Sequence, residues 1–194
     1  MASSVLISIP IPISASPKTL NDTASLDTAS LPELAREGNR EALGRLYSQF
    51  APRLLRVIWR IVGNREDAED VLHDLFVGLP KALGRYEDRG RLDAWLAGCA
   101  ARAALVHLRS RGRRREESLS SDQQFIAASR PDLGPELLEL EARIAALPTG
   151  LRIVLVLRKI EGLSHAEIAA ALGVSVGNSR IRLARALEQL NASR

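Results

Sequence analysis

Between Gly162 and Leu190 the sequence carries start and stop signals for two short helices in immediate succession, a pattern that few folds accommodate. Ser164 is a good N-cap and Glu167 is placed to complete a capping box with it, which starts the first helix. Ile168, Ala169 and Leu172 then fall on one face, and Gly173 supplies the permissive backbone that ends the helix. Ser175 is placed to cap a second helix whose Leu183, Leu187 and Leu190 turn inward. On that register Asn178, Arg182, Arg185 and Gln189 form an outward stripe at i, i+4, i+7 and i+11. A basic, amide-bearing stripe of this kind suits the major groove of DNA. Two amphipathic helices joined by a tight turn also occur as ordinary core packing, so the rest of the chain has to decide.

The chain has 194 residues, 46% of them hydrophobic, enough for one medium domain or two small ones with real cores. Aromatics are only 4% and β-branched runs are few, which favours helices over sheets. An all-α protein is expected. A net charge of +4 and a pI near 9.8 permit a polyanionic partner without requiring one. Cys99 is the single cysteine, so one chain holds neither a disulfide framework nor a cysteine metal cluster, and a reducing compartment fits.

Residues 1–30 are rich in Ser, Thr, Pro and Asp without helical period and read as a disordered tail. The apolar letters between Val5 and Ile13 have no basic residue before them, are interrupted by Pro10 and Pro12, and fall short of a span of about 20 residues. A cytoplasmic protein without membrane insertion is expected. From Leu34 onward the apolar period appears. Leu43, Leu46, Tyr47 and Phe50 mark one helix, Pro52 opens the next through Val62, and Gly63 turns the chain. Asn64 caps a third helix whose inner face runs from Ala68 to Leu79, beyond which Pro80 and Gly84 weaken it. After a polar loop, Leu92, Trp95, Leu96, Cys99, Ala103 and Val106 give a fourth helix with Trp95 in the core.

That helix leaves through a dense arginine run to Arg115, which reads either as a solvated, dipole-complementing helix end or as a basic surface. Residues 116–135 are a linker. A second bundle spans 136–194, with Leu137, Leu140, Ile144 and Leu147 as one stripe and an apolar helix from Leu151 to Ile160 beneath the helix-turn-helix. The expected architecture is therefore two small helical bundles joined by a flexible linker. His73, His107 and His165 lie on separate helices and no glycine-rich phosphate loop is present, so no catalytic, metal or cofactor site is expected.

Three groups of motifs give the pattern a family likeness. Asn64-Arg65-Glu66-Asp67-Ala68-Glu69-Asp70-Val71-Leu72-His73-Asp74-Leu75-Phe76 resembles the acidic helix by which extracytoplasmic-function sigma factors dock on bacterial RNA polymerase. Asp93-Ala94-Trp95-Leu96, followed by the arginine-rich helix end, is similar to their promoter-melting segment. Leu147-Pro148, the stretch Leu155 to Ser164 and Glu167-Ile168-Ala169 are similar to their distal promoter-reading domain. The resemblance covers about Leu34 to Leu190. It implies a region 2-like domain over 31–115, a region 4-like domain over 136–194, core polymerase and promoter DNA as partners, and an inhibitory anti-sigma protein as a further one.

It also implies roles for particular residues. Asp67, Glu69, Asp70, His73 and Asp74 are expected to contact polymerase. Tyr86, Arg102, Arg109, Arg111, Arg113, Arg114 and Arg115 are expected to hold opened DNA through stacking and phosphate contacts. In the recognition helix Arg182 and Arg185 suit guanine, Asn178 suits adenine, and Arg180 lies at the flank as a phosphate contact. Some positions depart from the family pattern. His73, Arg102 and Val106 replace a common Gln, Asn and Asp, and Asn178-Ser179-Arg180-Ile181-Arg182 replaces Thr-Val-Lys-Ser-Arg, which exchanges the expected apolar and polar positions at Ser179 and Ile181. The competing readings are a helix-turn-helix regulator that binds DNA without polymerase, usually as a dimer, and a helical adaptor for acidic proteins.

Overall fold

The computed structural model describes residues 25–88, 90–117 and 134–192, with side chains described outside 25–30 and 113–117. Every regular element among the described residues is helical. The first half comprises α1 (Ser25–Arg36), α2 (Arg40–Val62), α3 (Arg65–Leu83) and α4 (Leu92–Glu117). The second comprises α5 (Pro135–Ala146), α6 (Thr149–Leu155), a π-helical turn (Val156–Ile160), α7 (His165–Leu172) and α8 (Val176–Ala192). The start of α1 takes in residues 25–30, which the sequence places in the tail. The linker expected at 116–135 falls mostly outside the described residues.

Local signals set most helix starts. Asn39 accepts from the Glu41 and Ala42 amides at 3.0 and 3.1 Å to begin α2, and Asn64 accepts from the Asp67 amide at 3.2 Å to begin α3. Between them Gly63 sits at φ 80°, and its N–H donates to the Trp59 carbonyl. Proline is where local rules fail. Pro52 was expected to divide two helices, yet α2 runs through it, because Leu46, Phe50, Leu54, Val57, Ile58 and Ile61 form one unbroken buried stripe. The burial of those side chains outweighs a local cost of about 3 kcal/mol, and Pro52 itself faces solvent. Pro80 is carried in the same way, since Leu79 and Leu83 on either side of it are buried.

The larger difference concerns how the halves meet. Ala94 through Ala101 of α4 are buried without interruption, so this helix has no polar face over more than two turns. One side of α4 packs on α2 and α3, and the other receives α7 and the π turn. Ile153, Val154, Val156, Leu157, Leu163 and Ile168 of the second half belong to the same apolar core as the first half. A smaller cluster of Ile144, Leu147, Leu155 and Ala186 closes the second half on itself. The helix expected from Leu151 to Ile160 ends as a π turn, and the run Ile153 to Leu157 that leads into it is buried, shared between the two clusters. The stripe expected on α5 is only half used: Ile144 and Leu147 are buried, whereas Leu137 and Leu140 are exposed.

Ion pairs rim this contact. Arg53 reaches Glu161 at 2.6 Å and Asp93 at 3.3 Å, Arg60 grips Glu141 at 2.7 Å, and Arg91 approaches Glu167 at 3.4 Å. Burial draws the Arg53 guanidinium down, but the hydrogen bonds and charges of Glu161 and Asp93 outweigh it and hold the group above its ordinary pKa. Gly98 marks a close approach, because a Cβ there would stand 3.0 Å from the Ala171 side chain. Gly98→Leu is expected to wedge α7 off α4 while each half stays helical. Small-angle scattering would show a larger radius of gyration with unchanged circular dichroism, and an unaltered radius would deny this contact its role in holding the halves together.

Candidate docking and nucleic-acid interfaces

Three charged surfaces arise from these elements. On α3, the inward side is taken by Ala68, Val71, Leu72, Leu75 and Leu79, which leaves Glu66, Glu69, Asp70, His73 and Asp74 exposed along the opposite side. Glu69 also pairs with Arg65 at 2.8 Å one turn earlier. Val77 extends this surface and is 68% exposed, and Tyr47 stacks edge-on against Phe76 with ring centroids 4.9 Å apart beside it. The result is an acidic helix face with apolar side chains at its far end. The sequence reading places Tyr47 in the apolar stripe of its helix and gives Val77 no role, whereas both are exposed here.

Asp67 behaves differently from its neighbours. It turns toward α4, where its carboxylate pairs with Arg111 and lies 3.3 Å from His107 Nε2. Its side chain is only 17% exposed. Asp67 thus stands apart from the acidic face and ties α3 to α4 within the first half. Asp67→Ala is expected to lower folding stability by about 1–3 kcal/mol, the worth of a hydrogen-bonded charge pair, and to leave the outer acidic face intact. A melt matching the parent protein would show that the pair contributes nothing.

The second surface follows α4 and the loop before it. Tyr86 is half-buried, its ring packing on Trp95 at 5.0 Å while its hydroxyl lies 3.1 Å from Asp88 Oδ1. Trp95 is in the core, as its spacing indicates. Arg109 is exposed and Arg111 is half-buried against Asp67. Arg102 lies at the seam between halves, its guanidinium 3.6 Å from where a Cβ on Gly173 would sit. Arg113, Arg114 and Arg115 continue the helix, and their side chains lie outside the described residues. Cys99 is buried among these helices, and that burial pushes its thiol up to about 12 against a smaller opposing pull from Arg102, so it is held as an inert thiol.

The third surface is the helix-turn-helix, and here local signals hold closely. The Ser164 hydroxyl accepts from the Glu167 amide at 3.2 Å, and the Ser164 amide donates back to Glu167 Oε2 at 2.6 Å. Gly173 takes φ 67° at the end of α7, and the Ser175 hydroxyl accepts from the Asn178 amide at 3.1 Å to begin α8. The inner stripe of α8 is Ser179, Leu183, Ala186 and Leu190, with Ser179 fully buried. Its Oγ lies 3.0 Å from His165 Nδ1, so a polar residue in an apolar slot is satisfied by a side chain from α7. Desolvation and the nearby Arg158 and Arg180 charges hold His165 below its ordinary pKa, which favours the neutral ring beside Ser179.

This packing turns α8 away from the stripe expected for it. Leu187 is exposed although it was expected inside. Arg182 is half-buried, its guanidinium lying 3.7 Å from where a Cβ on Gly150 at the start of α6 would stand. Asn178, Arg180, Arg185 and Gln189 are exposed as expected, and Ile181 joins them at 54% exposure. The reason is Ser179 and Ala186. With those two facing the core, the side of α8 farthest from it passes through Ile181.

Two family signatures match the chain: sigma-70 region 2 over residues 46–114 and sigma-70 region 4 over residues 137–190. The chain is 35% identical over 153 residues to the extracytoplasmic-function RNA polymerase sigma factor SigE of Mycolicibacterium smegmatis, a match covering 75% of this chain and 58% of that protein. It is 32% identical over 174 residues to the RNA polymerase sigma-H factor of Pseudomonas aeruginosa, covering 83% of this chain and 90% of that protein. Among solved structures, the sigma factor RpoE in complex with the anti-sigma factor NepR from Bartonella quintana superposes with a TM-score of 0.67 at 21% identity, covering 77% of this chain and 94% of that one. That likeness is one of fold.

Proposed function

Because the chain belongs to the sigma-70 family, as an extracytoplasmic-function sigma factor that directs RNA polymerase to promoters, we propose that its surfaces divide that work between two domains, 31–115 and 136–194. The observation that carries this division is the placement of an outward acidic face on α3 and an outward basic flank on α8 in one chain. Glu69, Asp70, His73 and Asp74 dock on a basic surface of core polymerase by charge complementarity, with Val77 and Tyr47 adding apolar contact at the edge. Asp67 positions α3 on α4 and makes no contact with polymerase.

Arg109, with Arg113, Arg114 and Arg115 beyond it, follows the phosphates of the opened strand, and Arg111 shares that surface while holding Asp67. Arg102 and Tyr86 come into play once the halves part, since one lies at the seam and the other packs on Trp95. On α8, Asn178 and Arg185 read base edges, whereas Arg180 and Arg182 take phosphates at the flanks. An anti-sigma protein is a further partner, in line with the complex in which RpoE was solved. The protein works in the cytoplasm as a non-enzymatic subunit; among the described residues no helix is long and apolar enough to cross a membrane.

The test is reconstitution with core polymerase and a library of promoter fragments. Specific initiation that depends on this chain supports the reading, and DNA binding without polymerase would favour an independent regulator. Asp70→Arg is expected to weaken core binding about tenfold or more while leaving the melting temperature unchanged, because the side chain is exposed. Core affinity equal to that of the parent would remove Asp70 from the interface. Arg185→Ala is expected to relax promoter preference by about 1–3 kcal/mol at one base pair. Arg182→Ala should weaken initiation on all promoters alike, and a reversal of the two patterns would show that Arg182 leaves Gly150 to reach the bases.

A further inference from the structure

We propose that Ile181 is a specificity residue that reads the 5-methyl group of a thymine in the major groove of the upstream promoter element. The proposal rests on the reading of α8 as the groove-entering helix and adds a contact that its charged residues do not supply. Ile181 is 54% exposed and stands half a helical turn from Ser179, which is fully buried. It therefore occupies the side of α8 that points farthest from the protein. Two bonds fix that rotation: Ser179 Oγ lies 3.0 Å from His165 Nδ1, and Ser175 caps the helix through the Asn178 amide.

The surroundings of Ile181 favour nucleic acid over a protein surface. Gly177 lies one turn before it and Ala184 three residues after it, so nothing bulky flanks it along the ridge of the helix. A narrow ridge of this kind approaches the floor of a groove closely. Asn178 and Arg185 are exposed at i−3 and i+4 on one side, and Arg180 is exposed on the other. Their charge and hydrogen-bonding groups complement phosphates and base edges on both sides of the aliphatic tip. An apolar protein partner would have to desolvate these groups without return.

Within a major groove an aliphatic side chain has one good partner. The exposed edges of guanine, adenine and cytosine present hydrogen-bond donors and acceptors, which an isoleucine would strip of water and leave unpaired. Thymine alone presents a methyl group there. Covering that methyl with the Ile181 side chain removes apolar surface from water, and a single buried methyl corresponds to a preference of about fourfold.

The experiment uses holoenzyme reconstituted from core polymerase and the full chain, on a promoter selected from a library randomised in its upstream element. Each thymine of that element is replaced in turn by deoxyuridine, which deletes the methyl and keeps every hydrogen-bonding group. Initiation by the parent protein is expected to fall about fourfold at one position, while Ile181→Ser initiates equally from the thymine and uracil templates there. Initiation with no methyl-sensitive thymine, or the same sensitivity in both proteins, would overturn the contact and leave the promoter-directing function standing. An Ile181→Ser protein that keeps the methyl sensitivity but loses affinity for core polymerase would place Ile181 at a protein interface and also overturn it. A complete lack of specific initiation would overturn both the contact and the reading of α8 on which it rests.

Discussion

The structure depends on the burial of α4 on all sides between the two halves of the chain. From Ala94 to Ala101 this helix offers only apolar or small side chains, and each is inside. A helix with no polar face cannot sit at a surface without leaving apolar area in water, at roughly 25 cal/mol per Å2. Covering it from one side by α2 and α3 is insufficient. The second half supplies the other cover through α7 and the π turn, with Gly98 and Ala171 small enough to let the helices meet.

The charged rim has a different role. The pairs from Arg53, Arg60 and Arg91 to Glu161, Glu141 and Glu167 are partly exposed on at least one side of most contacts, and such pairs add little net stability. What they provide is a preferred arrangement, since Arg60 meets Glu141, and Arg53 and Arg91 add Glu161 and Glu167 to their contacts with Asp93, only when the second half sits in one orientation on the first. Glu167 illustrates the economy of the design: one oxygen completes the capping box of α7 and the other faces Arg91 across the seam. The same packing that buries α7 leaves the acidic face of α3 and the outer face of α8 in solvent, while Arg102 lies at the seam.

Much of this was legible in the sequence, and the reasons differ from place to place. Capping residues act on amides within three positions, so Asn64, Ser164 and Ser175 each mark a helix start without reference to anything distant. Long apolar stripes were legible for the same reason of period. Helix continuity through Pro52 and Pro80 was not, because the local penalty is fixed whereas the burial that offsets it depends on partners far along the chain. The turn of Asp67 toward α4 was not legible, since its period matches its acidic neighbours; only the approach of His107 and Arg111 from α4 separates it from them. The signal for the shared core was present in the unrelieved apolar run of α4, which a single-stripe reading of Leu92, Trp95 and Cys99 passes over.

The helix-turn-helix draws the boundary most clearly. Its existence, its caps and its turn at Gly173 follow from residues that act on near neighbours, so the sequence alone determines them, as it determines the all-α class and the family motifs. Its rotation is another matter. A leucine period placed Leu187 inside and Arg182 outside, whereas the packed protein buries Ser179 and Ala186, exposes Leu187 and Ile181, and lays Arg182 over Gly150. Hydrophobicity alone does not choose the inner slots: the small Ser179 and Ala186 take them ahead of Leu187 and Ile181, where the facing helices come close and His165 can satisfy a buried hydroxyl. Those are properties of the assembled core, which is why the face that α8 presents, and the meeting of the two halves around α4, belong to the tertiary structure.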